Sequence, residues 1–70
     1  MSWATRALIL MHLEARPGVW CSADNIAAAQ QIEPAECAAA CNELSAAGLV
    51  DGQLEGDGRA NPPRYRALDH

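Results

Sequence analysis

The chain has no lysine and no phenylalanine, and its only aromatic residues are two tryptophans and one tyrosine. It also lacks any apolar run close to the roughly 20 residues that a transmembrane helix needs. Residues 1–16 show neither the basic start nor the cleavage site of a secretory signal. These absences predict a cytoplasmic protein without a membrane partner.

Signatures of catalysis are missing as well. The sequence contains no glycine-rich phosphate loop, no nucleophilic serine elbow and no histidine beside a pair of carboxylates. We therefore predict that the protein is not an enzyme and carries no cofactor.

A disulfide framework is not expected, because the three cysteines at 21, 37 and 41 leave one thiol unpaired in any pairing. Cys37 and Cys41 lie one helical turn apart, and a metal or redox site there would need Cys21 or His12 as further ligands. Their spacing matches no usual paired-cysteine zinc motif, and a free cysteine packs as a small hydrophobe. We predict reduced core thiols and no metal site.

Positive charge is scarce. Nine carboxylates face five arginines, which gives a net charge of −4. This balance disfavours non-specific attraction to polyanions such as nucleic acids.

Half of the 70 residues are hydrophobic, but fifteen of these are alanine, so few bulky side chains remain for a core. A domain of this size is marginally stable alone, and a homodimer or another partner would stabilise it.

The first predicted helix covers about residues 2–16. Ser2 is suited to cap its N-terminus, and apolar residues then recur at helical spacing until Pro17 and Gly18 end the pattern. A short β-prone stretch follows at residues 19–21.

Two further helices follow this stretch. Ser22 predicts the cap of a second helix over about residues 22–30. Pro34 fits the first turn of a third helix over about 34–47, since proline there loses no helical hydrogen bond. Gly48 is placed to end that helix in the left-handed conformation.

The remaining segment, about residues 49–68, is predicted to be a β-hairpin, which we call the wing. Val50 and Leu54 alternate as on one face of a strand, and a loop rich in glycine and proline follows. A return strand over residues 64–68 would direct Tyr65 towards the core.

Along nearly the whole chain, certain residues occur in the order and at the spacing that are typical of a known protein family. They are Ile9, Leu10 and Leu13, the run Ser22 to Ala27, Ile32, then Cys37, Cys41 and Leu44, the run Ala47-Gly48-Leu49-Val50, and Arg64-Tyr65-Arg66. This order resembles the winged helix-turn-helix family, in particular small bacterial or phage-type transcription-regulator-like domains. The resemblance implies one mainly α domain over residues 1–70, a three-helix bundle with a small antiparallel β-hairpin.

In that family the third helix commonly enters the major groove of DNA while the wing contacts phosphates. The corresponding outward face here would consist of Ala35, Glu36, Ala38, Ala39, Asn42, Glu43 and Ala46. Asn42 could form hydrogen bonds with adenine, and the alanines could contact thymine methyl groups. Glu36 and Glu43 would repel phosphates by about 1 kcal/mol per close pair, so the face is a poor reader of DNA.

Arginines are concentrated in and beside the wing, at positions 59, 64 and 66. If Arg59, Arg64 and Arg66 all bound phosphates, a plot of the logarithm of the binding constant against the logarithm of the salt concentration would have a slope of only about −3. The alternative is a solvated hairpin in which they balance Asp51, Glu55 and Asp57.

Trp3 stands at the start of the first helix in a chain with few large side chains. It is expected either to cover the core or to contact another subunit, where tryptophan is enriched.

Two functions follow from these observations. The first is a small DNA-binding transcription regulator that is expected to be a homodimer. The second is an interaction module that binds a protein partner through its acidic, alanine-rich third helix. The common function of the family favours duplex DNA as the partner, whereas the negative net charge favours a protein. The sequence-based prediction is the regulator. Its predicted DNA-contacting residues are Gln30, Gln31, Ala38, Ala39, Asn42, Arg59, Arg64 and Arg66.

Overall fold

The computed structural model describes residues 3–53 and 63–68 of the chain. These residues form three helices and three short strands. The elements are α1 (Trp3–Glu14), β1 (Cys21–Ser22), α2 (Ala23–Gln30), α3 (Pro34–Ala46), β2 (Val50–Gln53) and β3 (Arg64–Ala67). The strands form an antiparallel sheet in the order β1-β3-β2. The roles predicted for Ser2, Leu54 and Arg59 fall outside the described residues.

The first helix is shorter than predicted, because α1 ends at Glu14 and not at Arg16. A tight turn follows, in which the Val19 amide donates to the Arg16 carbonyl at 3.1 Å. Pro17 fixes the backbone at the second position of this turn, and Gly18 takes a positive φ of 79° at the third. Proline and glycine are therefore incorporated into the turn, and the helix ends before them.

The second helix begins as predicted, with Ser22 as its N-cap. The Asn25 amide donates to Ser22 Oγ at 3.2 Å, which satisfies one of the free amides of the first turn. At the other end Gln31 adopts the left-handed conformation, with φ 56° and ψ 45°. The Ile32 amide then donates to the Ala27 carbonyl at 2.9 Å and closes the helix.

The third helix starts at Pro34 as predicted and ends at Ala46, one residue before the predicted end. Gly48 has a φ of 76°, and its amide donates to the Ser45 carbonyl at 3.1 Å. The Leu49 amide donates to the Leu44 carbonyl at 2.9 Å. This pair of bonds is a Schellman motif, so the predicted glycine cap is confirmed.

The β-prone stretch predicted at residues 19–21 forms a strand only at Cys21–Ser22. This strand, β1, pairs with β3, so the sheet contains one strand more than the predicted hairpin. Cys21 lies opposite Tyr65 in this pair, and Val50 lies opposite Ala67 between β2 and β3. The return strand is therefore the central one, and it ends at Ala67 and not at Leu68. A two-residue strand such as β1 has too little local pattern to reveal its partner.

One core lies between the three helices and the inner face of the sheet. Its buried residues are Ile9, Leu13, Cys21, Ile26, Ala27, Cys37, Ala40, Cys41, Leu44, Val50 and Tyr65. All three thiols are free and buried, as expected for cysteines that pack as small hydrophobes. Tyr65 is directed into the core as predicted, with only 3 % of its surface exposed.

Candidate binding surface

The outward side of α3 is the surface that the sequence predicts to face a ligand. We call it the α3 face, and it comprises Ala35, Glu36, Ala38, Ala39, Asn42, Glu43 and Ala46, all of them exposed. The opposite side of the helix packs into the core through Cys37, Ala40, Cys41 and Leu44. Four alanines make the α3 face flat, and its formal charge comes from two carboxylates.

Glu43 on the α3 face is held by an arginine from the first helix. The Arg6 Nη2 atom donates to both carboxylate oxygens of Glu43, at 3.0 and 3.1 Å. The pair is solvent-exposed, so its net contribution to stability is about 1 kcal/mol or less. Arg6 was not predicted to belong to this surface, and 37 residues of separation leave no local signal for the pairing.

Arg66 is engaged within the protein. Its Nε donates to Asp51 Oδ2 at 3.1 Å, and the two residues are directly opposite on β3 and β2. Its guanidinium also lies over the Trp20 ring, 4.5 Å from the centroid. The geometry is that of a cation–π contact. This arrangement matches the alternative in which wing arginines balance nearby carboxylates, and the role of Trp20 was not predicted.

Arg64 has a different environment from Arg66, although both lie on the same side of β3. It is exposed, and no ion pair joins it to another residue within 3–53 or 63–68. Of the three arginines predicted to bind phosphates, one is therefore engaged in internal contacts and one is available to a ligand. Arg59 lies outside the described residues.

The two glutamines predicted to contact DNA also differ. Gln30 is partly buried, and its Nε2 donates to His12 Nδ1 at 3.1 Å, so its amide contacts α1. Gln31 is exposed at the left-handed end of α2. Ala38, Ala39 and Asn42 share the α3 face.

His12 is a buried histidine with a defined role in packing. Arg16 Nη1 lies 3.4 Å from the same Nδ1 atom that accepts from Gln30. Burial, and secondarily the charge of Arg16, lower the pKa of His12 below 6.5. A neutral ring with Nδ1 as acceptor therefore joins α1 to α2.

The thiols of Cys37 and Cys41 on α3 are buried in the core. Burial raises the pKa of Cys37, and burial together with the neighbouring Cys37 raises the pKa of Cys41 to about 12. Both thiols are therefore neutral at pH 7 in this environment. Within the described part of the chain, no group of three or more histidine, cysteine or acidic residues could hold a metal ion.

Trp3 does not cover the core, because 69 % of its surface is exposed. Its ring centroid is 6.0 Å from the Arg6 guanidinium. It borders a shallow cleft of about 170 Å³ together with Leu49, itself half exposed, and the Arg6–Glu43 pair. A subunit contact at Trp3 stays a prediction.

No protein-family model, curated protein or solved structure matches this chain. Among the helices of the described residues, none has both the length and the apolar content that a membrane span requires. The function is therefore argued from the surface itself.

Proposed function

We propose that the chain is a winged-helix domain. The order helix, strand, helix, helix, strand, strand supports this assignment, as does a sheet in which the last strand lies between the other two. The tight connection between α2 and α3 would then be the turn of a helix-turn-helix. Fold does not determine function, so the ligand is argued from the chemistry of the α3 face.

We propose further that the domain binds a basic surface of a partner protein through the α3 face. One observation carries this proposal: the face is exposed and alanine-rich, it bears Glu36 and Glu43, and the arginine beside it is already bound to Glu43. The face therefore offers no free cation to a phosphate, while Glu36 offers its carboxylate to a lysine or arginine of a partner.

Electrostatic and entropic terms also favour a protein partner over DNA. Each glutamate close to a phosphate would cost about 1 kcal/mol, whereas the same carboxylate near a cation gains a similar amount. Alanine side chains have no rotamer entropy to lose on burial, so a flat alanine surface packs against a partner at low entropic cost. An acidic protein also associates faster with a basic partner than with a polyanion.

The substitution Ala39→Arg separates this proposal from DNA binding, because it has opposite effects on the two. NMR titrations would use two probes, an amphipathic lysine- and leucine-rich peptide and a random-sequence duplex at low salt. We expect the peptide to shift the amide resonances of the α3 face, and Ala39→Arg to weaken that binding by about tenfold. The matched control is Ala28→Arg, at an exposed position of α2.

Duplex-induced shifts on the α3 face that grow stronger in Ala39→Arg would refute protein docking and support DNA binding. The same conclusion would follow if the peptide left the α3 face unshifted while the duplex bound.

A DNA-binding regulator is the second candidate, and the exposure of Arg64 favours it. Here Arg64 would contact phosphate directly, and Arg66 would have to exchange Asp51 for phosphate. The variant Arg64→Ala with Arg66→Ala should then abolish retention on duplex DNA and remove a salt slope of about −2. Unchanged retention would exclude β3 from the contact.

A further inference from the structure

Helix α1 is apolar on more than its buried side. Thr5, Ile9, His12 and Leu13 are buried. A second set of apolar residues, Ala4, Leu8, Met11 and Ala15, is exposed, and we call it the α1 stripe. Met11 is 66 % exposed and Leu8 is 37 % exposed. A surface helix normally carries charged or polar side chains where it faces water, and the α1 stripe has none.

The α1 stripe has a symmetric pattern. Its members are separated by four, three and four residues, which is the spacing of a helix–helix seam. The sizes read small, large, large, small, so the pattern is the same in both chain directions. Ala15 continues the stripe past the end of α1, because its amide still donates to the Met11 carbonyl at 3.1 Å.

We propose that the α1 stripe is the contact between two copies of this chain, packed antiparallel about a two-fold axis between Leu8 and Met11. A two-fold interface uses the same patch on both copies, and a palindromic stripe is complementary to itself in that orientation. Leu8 then packs against Met11 of the second copy. Ala4 packs against Ala15 of the second copy, and these small residues allow the helix ends to approach closely.

Charge selects the antiparallel orientation. Glu14 is the charged residue beside the stripe on the exposed side of α1. In a parallel pair the two Glu14 side chains would lie next to each other. In the antiparallel pair they are separated by nine residues along the axis, or about 13 Å at the helical rise, which exceeds the Debye length at physiological salt.

The exposed area indicates how strong this dimer is. The stripe consists of the exposed parts of Met11 and Leu8, 66 % and 37 % of their surfaces, and of two alanines, which together fall well short of the about 800 Å² per partner in a standard interface. We therefore infer a weak, concentration-dependent dimer and not an obligate one. The inference is independent of the proposed function, since the α1 stripe and the α3 face are on different helices.

Analytical ultracentrifugation between about 10 μM and 1 mM tests the dimer, since a dissociation constant within this range populates the dimer at the upper concentration. We expect the weight-average mass of the protein to rise towards that of a dimer. Met11→Glu should raise the dissociation constant at least about tenfold, because a carboxylate would be buried at the axis. Ala28→Glu, on the exposed side of α2, is the matched control.

Cross-linking tests the orientation. Ala4→Cys mixed with Ala15→Cys should yield a disulfide-linked heterodimer under mild oxidation, whereas each variant alone should stay largely uncross-linked. The native thiols are buried, so they compete poorly. A protein that stays monomeric at 1 mM would overturn the proposal. Preferential Ala4→Cys homodimers would overturn the antiparallel orientation. If circular dichroism shows that Met11→Glu is unfolded, Ala15→Glu replaces it.

Discussion

Gln31 offers a test of how this fold closes its second helix. The residue has φ 56° and ψ 45°. This left-handed backbone conformation is strained for residues other than glycine. Its side chain is exposed, and no hydrogen bond joins it to another of the described residues. Replacing it with glycine therefore relieves backbone strain and removes few contacts.

The expected magnitude follows from two opposing effects. The left-handed conformation costs an L-residue about 1–2 kcal/mol, and glycine avoids this cost. Glycine in turn makes the unfolded chain more flexible, which costs about 0.5–1 kcal/mol. We expect Gln31→Gly to raise the free energy of unfolding by about 0.5–1 kcal/mol, or the melting temperature by roughly 2–8 °C for a domain of this size.

Thermal and urea unfolding followed by circular dichroism measure this change. The matched control is Ala29→Gly, an exposed position inside α2 where glycine should lower stability by about 1 kcal/mol. Gln31→Ala tests the side chain alone and should change stability little. If Gln31→Gly lowers stability as much as Ala29→Gly does, the strain argument is wrong.

Three further predictions concern single contacts. Because the folded pKa of His12 lies below its unfolded value of 6.5, the unfolded chain binds more protons there, so stability should fall as pH drops below about 6.5. His12→Gln should flatten that slope in unfolding curves, and an equal slope would assign it to other groups. Ser22→Ala should cost about 1 kcal/mol in urea unfolding, since it removes the α2 cap; a change under about 0.3 kcal/mol would contradict that role. Arg66→Ala should alter Trp20 fluorescence while Arg64→Ala leaves it unchanged, and equal spectra would argue against the stacking.

Several contacts that shape the surface could not be read from the sequence. The sequence predicts the same role for Arg66 and Arg64, because both lie on one side of a strand, which is a local property. Their difference arises from Trp20, which joins Arg66 from a distant part of the chain. The sequence likewise predicts an outward Gln30, although the side-chain amide of this residue forms a hydrogen bond with His12, eighteen residues away. Such pairings depend on how elements pack, which the spacing of residues along one element does not encode.

The sequence by itself determined the elements and most of their ends. The hydroxyl of Ser22, the ring of Pro34 and the missing side chain of Gly48 act within one helical turn, so their effects are local and were predicted. Only the tertiary structure decided that the last strand is central in a three-stranded sheet, and which arginines are engaged. Those outcomes join residues far apart in sequence, whose approach is set by burial of the common core.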